Sequence, residues 1–214
     1  PAGQRFDDVI VSHADQDHAG GLPALRQEHR WVRLLAPPGE EVGGDAVACR
    51  AGQRWQRDGV SFRMLWPPDN MGQLSSNDRS CVLWVTAGKH QVLITGDVGR
   101  AVERRLLAAL PRRMTLLVAG HHGSATSSGA LLVRRLSPAH VVFSSGRDNP
   151  FGHPASEVVR RFREAGSCLW STARDGAVTF VLGDTESLGV HSMRPVVWRL
   201  DGVEGDCLAV ESRH

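Results

Sequence analysis

The stretch VSHADQDHAGGL, residues 11–22, places two histidines and two aspartates within six positions, after an apolar run and before two glycines. A solvated loop does not need that order, and a protein core cannot bury four such polar groups unless something pairs with them. Imidazole nitrogens and carboxylate oxygens are common metal ligands in proteins. The stretch therefore points to a metal ion as the partner of these four side chains.

Length and composition indicate a globular protein. The 214 residues suit one domain, or one domain with a tail, and 41% hydrophobic residues are enough to build a core. No run approaches 18 apolar residues, and no export leader is visible in this sequence, so we expect no membrane span within it. The net charge of +2 is too small to indicate nucleic-acid binding by bulk charge.

The four cysteines, at positions 49, 81, 168 and 207, lie far apart and form no C-x-x-C pair. The sequence therefore offers neither a zinc knuckle nor a redox motif. We expect buried free thiols. An oxidising compartment would permit disulfides, but the sequence does not tell which cysteines would pair.

The order of apolar runs predicts a mixed α/β fold with helices flanking sheets. The first half reads as mostly strands, interrupted by a helix near 21–30 and a polar loop over 38–52, and it ends in a hairpin formed by 80–88 and 90–97. From 98 onward helices and strands alternate up to 182. The regular alternation stops near Asp184, which predicts a domain over 1–183 and an extension or tail over 184–214.

Each group with potential chemistry follows the end of an apolar strand. His13 follows DDVIVS, Asp97 follows VLITG, the pair His121 and His122 follows TLLVAG, and Ser145 follows HVVFS. Strand ends at one edge of an α/β layer can converge on a single crevice. A single histidine at a strand end is more often structural than a ligand, but four such positions together favour one shared site.

Four motifs in this order resemble a known family. They are H-x-D-x-D-H-x-G-G, a strand ending in TGD, a strand ending in HHGS-x-TS, and S-S-G-x-x-N-x-F-G-H-P. Residues 5–182 resemble the metallo-β-lactamase fold, and are most similar to the C-terminal domain of the ComEC family of competence proteins. The resemblance implies an αββα sandwich with a dinuclear metal site at one edge of its two sheets. The chain looks as if it lacks the first N-terminal strands of its relatives, so we expect an uncovered sheet edge.

The family pattern implies a set of metal ligands. Two divalent ions are expected, one held by the first histidine and aspartate of the motif, the other by the next aspartate and histidine together with one histidine of HHGS, with the aspartate of TGD as a bridge. We favour the second histidine of HHGS, next to Gly123, as the ligand. The ligand set is thus His13, Asp15, Asp17, His18, Asp97 and His122.

Two departures from the common family pattern bear on the metal. Asp15 stands where many relatives have a histidine, and an anionic oxygen favours harder ions, so Mn²⁺ is preferred although Zn²⁺ remains possible. Many relatives also supply a further histidine before a later strand, whereas SSNDRS offers only Asn77 and Asp78. The first metal site is therefore expected to be short of ligands.

On the substrate side, hydroxyls and loop residues near the metals are candidates. Ser124, Thr126 and Ser127 lie where a helix is expected to start, so that they and free N–H groups can hold a phosphate, although a plain helix cap explains them equally well. Asn149 and His153 lie in the loop after HVVFSSG, and His153 is a candidate proton donor or phosphate ligand. Asp17, His121 and His153 are the predicted catalytic residues.

Three functions remain open. The first is a metal-dependent nuclease domain acting on DNA within a membrane channel protein of DNA uptake, on the extracytoplasmic side by preference, with DNA and the channel as partners and no small organic cofactor. The second is a stand-alone hydrolase of a small phosphodiester, lactone or thioester. The third is a non-catalytic module that docks DNA or the channel.

Overall fold

The computed structural model describes residues 3–70, 72–183 and 188–193 of the chain, which alternate between strands and helices. The strands are β1 (Arg5–Ile10), β2 (Arg30–Ala36), β3 (Ala46–Ala48), β4 (Arg54–Arg57), β5 (Val60–Trp66), β6 (Val82–Ala87), β7 (His90–Ile94), β8 (Leu116–Val118), β9 (His140–Phe143), β10 (Cys168–Ser171), β11 (Val178–Leu182) and β12 (Leu188–Ser192). The helices are α1 (Gln16–Ala19), α2 (Leu22–Glu28), α3 (Arg100–Leu106), α4 (Ala130–Leu136), α5 (Ser156–Glu164) and α6 (Thr172–Asp175).

The strands form two main sheets and a small ribbon. β1, β2 and β3 pair in parallel to make the first sheet. The second sheet has seven strands in the order β10-β9-β8-β7-β6-β5-β4. Its β4 to β7 half is antiparallel and its β7 to β10 half is parallel. β11 and β12 form a separate antiparallel pair.

Three apolar layers hold these elements together. Between the two sheets, Leu35 of the first sheet packs with Met64 and Leu83 of the second. A larger core joins the other face of the seven-stranded sheet to α3, α4 and α5, while α2 packs on the outer face of the first sheet through Leu22. The layers are thus helix, sheet, sheet and helix, and the predicted αββα sandwich is confirmed.

Two expectations about irregular regions need revision. The loop expected over 38–52 contains β3, whose Ala46 pairs with Leu34 of β2, so the prediction of continuous loop there was wrong. A segment of three residues is too short to show a recognisable alternation of apolar and polar side chains. Only its pairing with β2 makes it a strand. β12 lies beyond the expected domain boundary at 183, while the rest of 184–214 falls almost entirely outside the described residues.

The expectation of free thiols was also wrong. Cys49, just after β3, and Cys81, just before β6, form a disulfide with a Cα–Cα distance of 6.0 Å. Cys168 is disulfide-bonded as well. The Cys49–Cys81 bond joins the two sheets, and this pairing depends on a spatial proximity that the 32-residue sequence separation conceals.

No helix within the described residues is long and apolar enough to cross a lipid bilayer.

Several loops lie together at one edge of the sandwich. The segments that follow β1, β7, β8 and β9 meet there, joined by the segment that leads into β6. Most of the candidate site residues identified from the sequence lie in these segments.

Candidate metal centre

The first part of the centre is the loop between β1 and α1. β1 delivers His13 into the interior, where its side chain is fully buried. Its Nε2 atom has no hydrogen-bond partner among the residues that the structure describes. Asp15 directly precedes the short helix α1, so Asp17 and His18 fall within its single turn. A buried imidazole nitrogen without a partner costs free energy unless another group, such as a cation, meets it.

Two serines orient the histidine rings. Ser12 Oγ lies 3.1 Å from Nδ1 of His13 and 2.9 Å from Nδ1 of His18. Ser80 Oγ lies 3.3 Å from Nδ1 of His13 on the other side. With each Nδ1–H donating to a hydroxyl oxygen, both Nε2 lone pairs face the centre, which is the arrangement that metal-binding histidines need.

Asp97 follows β7 and is 4% exposed. The preceding Gly96 has a φ of +55°, and a Cβ there would lie 2.7 Å from Cβ of Ser80, so only glycine permits this close approach. The Asp97 N–H donates to Ser80 Oγ at 3.0 Å. The chain therefore turns sharply after the strand and directs the Asp97 carboxylate towards the histidines.

His121 and His122 follow β8 with φ values of 50° and 55°, a left-handed conformation that is unfavourable for residues with a side chain. Nδ1 of His122 donates to the Ser144 carbonyl at 2.7 Å. Its Nε2 therefore faces Asp17 Oδ2 at 3.2 Å and Asp97 Oδ2 at 3.7 Å. His121 lies beside it, with Nε2 3.7 Å from Asp97 Oδ2 and Nδ1 3.3 Å from Thr126 Oγ1.

The donor atoms form two overlapping groups among the described residues. His13, His18 and Asp97 make one, and Asp17, His18 and His122 make the other, each with its ligand atoms within 4.8 Å of one another. Nε2 of His18 lies 3.1 Å from Nε2 of His122 and 3.3 Å from Asp97 Oδ1. Facing lone pairs at these distances repel unless a proton or a cation lies between them.

Charge and burial act against each other at this centre. Burial lowers the pKa of His13, and the charge of His18 lowers it further. Burial also opposes protonation of His18, but its hydrogen bond to Asp97 and the charge of Asp97 prevail, so the pKa of His18 is raised. Burial raises the pKa of Asp97, yet the hydrogen bond from His18 and the surrounding histidines outweigh it and leave that pKa lowered. The site thus favours positive charge beside Asp97.

Asp15 lies at the edge of this centre. Its side chain is 46% exposed, and Oδ2 is 3.5 Å from Nε2 of His13. Its Oδ1 accepts a hydrogen bond from Ser76 at 2.7 Å. Asp78, considered from sequence as a substitute ligand, instead accepts the Gly99 N–H at 2.8 Å and so supports the loop before α3.

The loop after β9 brings His153 next to the histidine pair. Its ring centroid is 5.7 Å from that of His121 and 6.5 Å from that of His122. Nδ1 of His153 is buried and has no hydrogen-bond partner in the described part of the chain. Burial, followed by the charges of the two neighbouring histidines, lowers the pKa of His153. Asn149 holds this loop, because its side chain binds both the N–H and the carbonyl of His153. Its amide is therefore already engaged within the loop.

The three hydroxyl residues predicted to bind phosphate, Ser124, Thr126 and Ser127, lie in different environments in the structure. Thr126 is exposed and contacts His121, whereas Ser127 is buried and donates to the Val98 carbonyl. Ser124 is buried and lies 3.0 Å from Thr126 Oγ1. α4 begins only at Ala130, so the segment from 124 to 127 precedes the helix rather than opening it.

Two N–H groups immediately before α4 are occupied. Those of Ser128 and Gly129 donate to the buried carboxylate of Glu103, a residue of α3. These two N–H groups are therefore not free to bind a phosphate. Glu103 could have been noticed from sequence, because it lies beside Val102 and Leu106 on the apolar side of α3. Ser12 and Ser80 carried no comparable signal.

This fold and this cluster of histidines and carboxylates define a protein of the αββα class with a candidate metal site. The sequence pattern of the Metallo-beta-lactamase superfamily matches residues 2–146, more than half of the chain. The chain therefore belongs to the metallo-β-lactamase superfamily.

Competence proteins are among its relatives. The chain is 38% identical over 182 residues to "Competence protein ComA" of Neisseria gonorrhoeae, covering 84% of this chain and 26% of that protein. It is 35% identical over 174 residues to "Recombination protein 2" of Haemophilus influenzae, covering 81% and 22%, respectively. The match to "ComE operon protein 3" of Bacillus subtilis is 27% over 192 residues, covering 83% and 25%. The chain spans about a quarter of these relatives, and the resemblance to competence proteins is confirmed.

A solved structure supports the fold independently. The diiron beta-hydroxylase CmlA from Streptomyces venezuelae superposes with a TM-score of 0.54 at 16% identity, covering 78% of this chain and 44% of CmlA. At this identity the likeness concerns the fold alone.

Proposed function

We propose that this domain is a metal-dependent phosphodiesterase that hydrolyses DNA as part of a competence-type DNA-uptake protein. The observation that carries the proposal is the facing set of nitrogen and oxygen donors, above all the buried Nε2 of His13, which has no hydrogen-bond partner within the described residues. The similarity to competence proteins supports the choice of DNA as the substrate.

The donors present fit two divalent ions. Since Nδ1 of His18 faces Ser12, its single free Nε2 would serve one ion only. His13, Asp15 and Asp97 would hold one ion, and Asp17, His18 and His122 the other. Ions bound there would lower the pKa of a shared water and neutralise charge on a phosphoryl group. Because Asp15 and Asp17 contribute oxygens, we expect Mn²⁺ to support activity better than Zn²⁺.

The chain's own residues would position the substrate. Thr126 is exposed next to His121, and both border the centre from one side, where they can bind a phosphate oxygen. His153 lies beyond His121 and can donate a hydrogen bond or a proton to the leaving oxygen. Ser124 supports Thr126 through its hydroxyl, while Ser127 and Asn149 act on the backbone around them.

The disulfides bear on location. Disulfides persist in oxidising compartments, and Cys49–Cys81 is formed in this domain. This supports a place on the extracytoplasmic side of a membrane channel protein, with the channel as the covalently linked partner. DNA would then meet this centre outside the reducing cytoplasm.

The test is a nuclease assay on the purified domain, with Mn²⁺ or Zn²⁺ added after chelation. Asp97→Asn should abolish metal-dependent cleavage of single-stranded DNA, because it removes the buried anion that borders both donor groups. Asp45→Asn, at an exposed position before β3, removes the same charge and should retain activity. Cleavage that is equal in the two variants would contradict the proposal.

A second substrate class has support from the comparisons. The chain is 31% identical over 153 residues to "Hydroxyacylglutathione hydrolase" of Stenotrophomonas maltophilia. A glutathione thioester in the same assay decides between the two. Turnover of the thioester without DNA cleavage would assign the centre to small-molecule hydrolysis.

A further inference from the structure

A second surface of the molecule, outside the metal centre, carries arginine and tryptophan side chains. It lies on the antiparallel strands β4, β5 and β6. Cross-strand partners share a face, and the register pairs Arg54 with Arg63 and Arg63 with Trp84. The adjacent row pairs Gln56 with Ser61 and Ser61 with Thr86. We call this the Arg-Trp face, made of Arg54, Gln56, Ser61, Arg63, Trp84 and Thr86.

The Arg-Trp face is concave and lies on the helix side of the seven-stranded sheet. Phe62, Met64 and Leu83, which alternate with its members along the strands, pack into the layer between the two sheets. A cavity of about 580 Å³ lies on the face, lined by residues of β4, β5 and β6. Three strands span about 10 Å across, which suits one or two nucleotides.

The charges on this face lack acidic partners. Arg54 and Arg63 lie directly opposite each other, an arrangement that destabilises a sheet when both charges have the same sign. Among the described residues no carboxylate forms an ion pair with either. Arginines on the helices differ: Arg100 and Arg161 pair with Glu157, and Arg160 pairs with Glu164. An anion between Arg54 and Arg63 would remove their repulsion.

The neighbouring groups match the other parts of a nucleotide. The Arg63 guanidinium is held over the Trp84 ring at 5.7 Å, a layered arrangement on which an unpaired base can stack. Gln56 donates to Ser61 at 3.1 Å, and this row, together with Thr86, offers hydrogen bonds to base edges. Proteins that bind single-stranded DNA combine positive side chains for the phosphates with flat groups on which bases stack. The Arg-Trp face offers both, and its polar row adds hydrogen-bonding groups for a base edge.

We infer that the Arg-Trp face binds single-stranded DNA. This inference rests on the proposed function only in taking DNA as the ligand, and it assigns a binding surface separate from the metal centre. β6 begins next to Ser80 of the centre, and Thr86 lies four residues beyond Val82, about 13 Å along the strand. A DNA strand bound at this face would thus lie within a few nucleotides of the metal centre.

The test measures binding without hydrolysis. A fluorescent 16-nucleotide oligothymidylate is titrated with the chain in EDTA, over a series of salt concentrations, and anisotropy is recorded. Arg54→Ala/Arg63→Ala should weaken binding at least tenfold. It should also reduce the salt slope by about 1.4, since each phosphate contact to a single strand contributes about 0.7.

The matched control is Arg112→Ala/Arg113→Ala, which removes the same charge at two exposed positions before β8. This control should bind as the unaltered chain does. Arg54→Lys/Arg63→Lys, which keeps the charge and is the gentler change to the sheet, should restore the salt slope but not the full affinity, because lysine cannot stack on Trp84.

Three results would overturn the inference. The first is that the Arg112/Arg113 control weakens oligothymidylate binding as much as the Arg54/Arg63 variant does, and the second is that the Arg54/Arg63 variant binds with unchanged affinity. The third is that a DNA duplex of the same length binds the unaltered chain as tightly as the single strand and loses as much affinity in the Arg54/Arg63 variant. Failure here is distinguishable from failure of the proposed function. Binding in EDTA requires no metal, and cleavage of a minimal dinucleotide substrate depends on the metal centre alone.

Discussion

At the scale of single residues, the centre depends on how its rings are held as much as on which residues surround it. Two serine hydroxyls and the Ser144 carbonyl engage the Nδ1 atoms of His13, His18 and His122. Each contact leaves Nε2 pointing inward. Groups that fix a ligand histidine in this way commonly change metal affinity 10- to 100-fold when they are removed.

Ser12 is therefore expected to be a positioning residue. Ser12→Ala should weaken metal binding by roughly 10- to 100-fold, because it removes the oxygen shared by His13 and His18. Competition with a chromophoric chelator measures this affinity, and Ser12→Thr, which keeps the hydroxyl, should restore it. An alanine variant with unchanged affinity would show that the hydroxyl does not orient the rings.

His153 tests the chemistry on the substrate side. If His153 protonates the leaving oxygen, His153→Ala should lower turnover by roughly 10²- to 10⁴-fold at unchanged metal content. A nitrophenyl phosphodiester, whose leaving group needs no proton, should be largely spared. Equal loss on both substrates would leave phosphate binding as its role. A fall in metal content would make it a ligand, and no change in either would make it a loop residue.

At the scale of elements, short connections place each donor where its strand ends. The turn at Gly96 lets Asp97 approach Ser80, and the left-handed pair after β8 directs His122 inward. The segment just before α4 is held by a side chain instead, because Glu103 of α3 accepts hydrogen bonds from the N–H groups of Ser128 and Gly129. α3 and α4 are thus joined by one buried carboxylate next to the loop that carries His121 and Thr126.

Glu103 makes the stability of this joint depend on pH. Burial, only partly offset by the N–H donors of Gly129 and Ser128, raises the pKa of Glu103 in the folded state. The contribution is then fully present below the unfolded pKa near 4.5 and is lost as pH rises through the raised folded value. Glu103→Gln lacks this titration.

Urea unfolding of both proteins between about pH 4 and pH 8 checks this expectation. The free energy of unfolding of the unaltered chain, relative to that of Glu103→Gln, should fall as pH rises. Taking the difference between the two proteins cancels the titration of the other groups that the substitution leaves undisturbed. A difference that grows with pH would mean that the folded pKa is lowered.

At the scale of the whole molecule, two sheets face each other and the disulfide fastens them close to the centre. Cys81 follows Ser80, and its N–H donates to the Ser12 carbonyl at 2.8 Å. The Cys49–Cys81 bond therefore supports the same loop segment that orients His13. Its loss should affect both folding and the metal centre.

Cys49→Ala/Cys81→Ala is expected to lower the free energy of unfolding by about 2–4 kcal/mol, mainly because the unfolded chain is no longer cross-linked. A chain of this size should then melt roughly 10 °C lower. Thermal unfolding monitored by circular dichroism measures this shift, with Cys168→Ala as the control for the other disulfide. An unchanged melting temperature would show that the bond contributes little to holding the sheets together.

The sequence by itself determined a mixed α/β fold, the order of most elements and the motif residues, because alternating apolar runs and closely spaced polar groups are local patterns. The resemblance of those motifs to a known family implied the αββα sandwich and named His13, Asp97 and His122 as candidate ligands. Tertiary structure alone decided that Ser80 orients His13, that Glu103 holds the N–H groups before α4, and that Cys49 pairs with Cys81. These relations join residues that are distant in the chain, and only the packing of one sheet on the other and of helices on the second sheet brings them together.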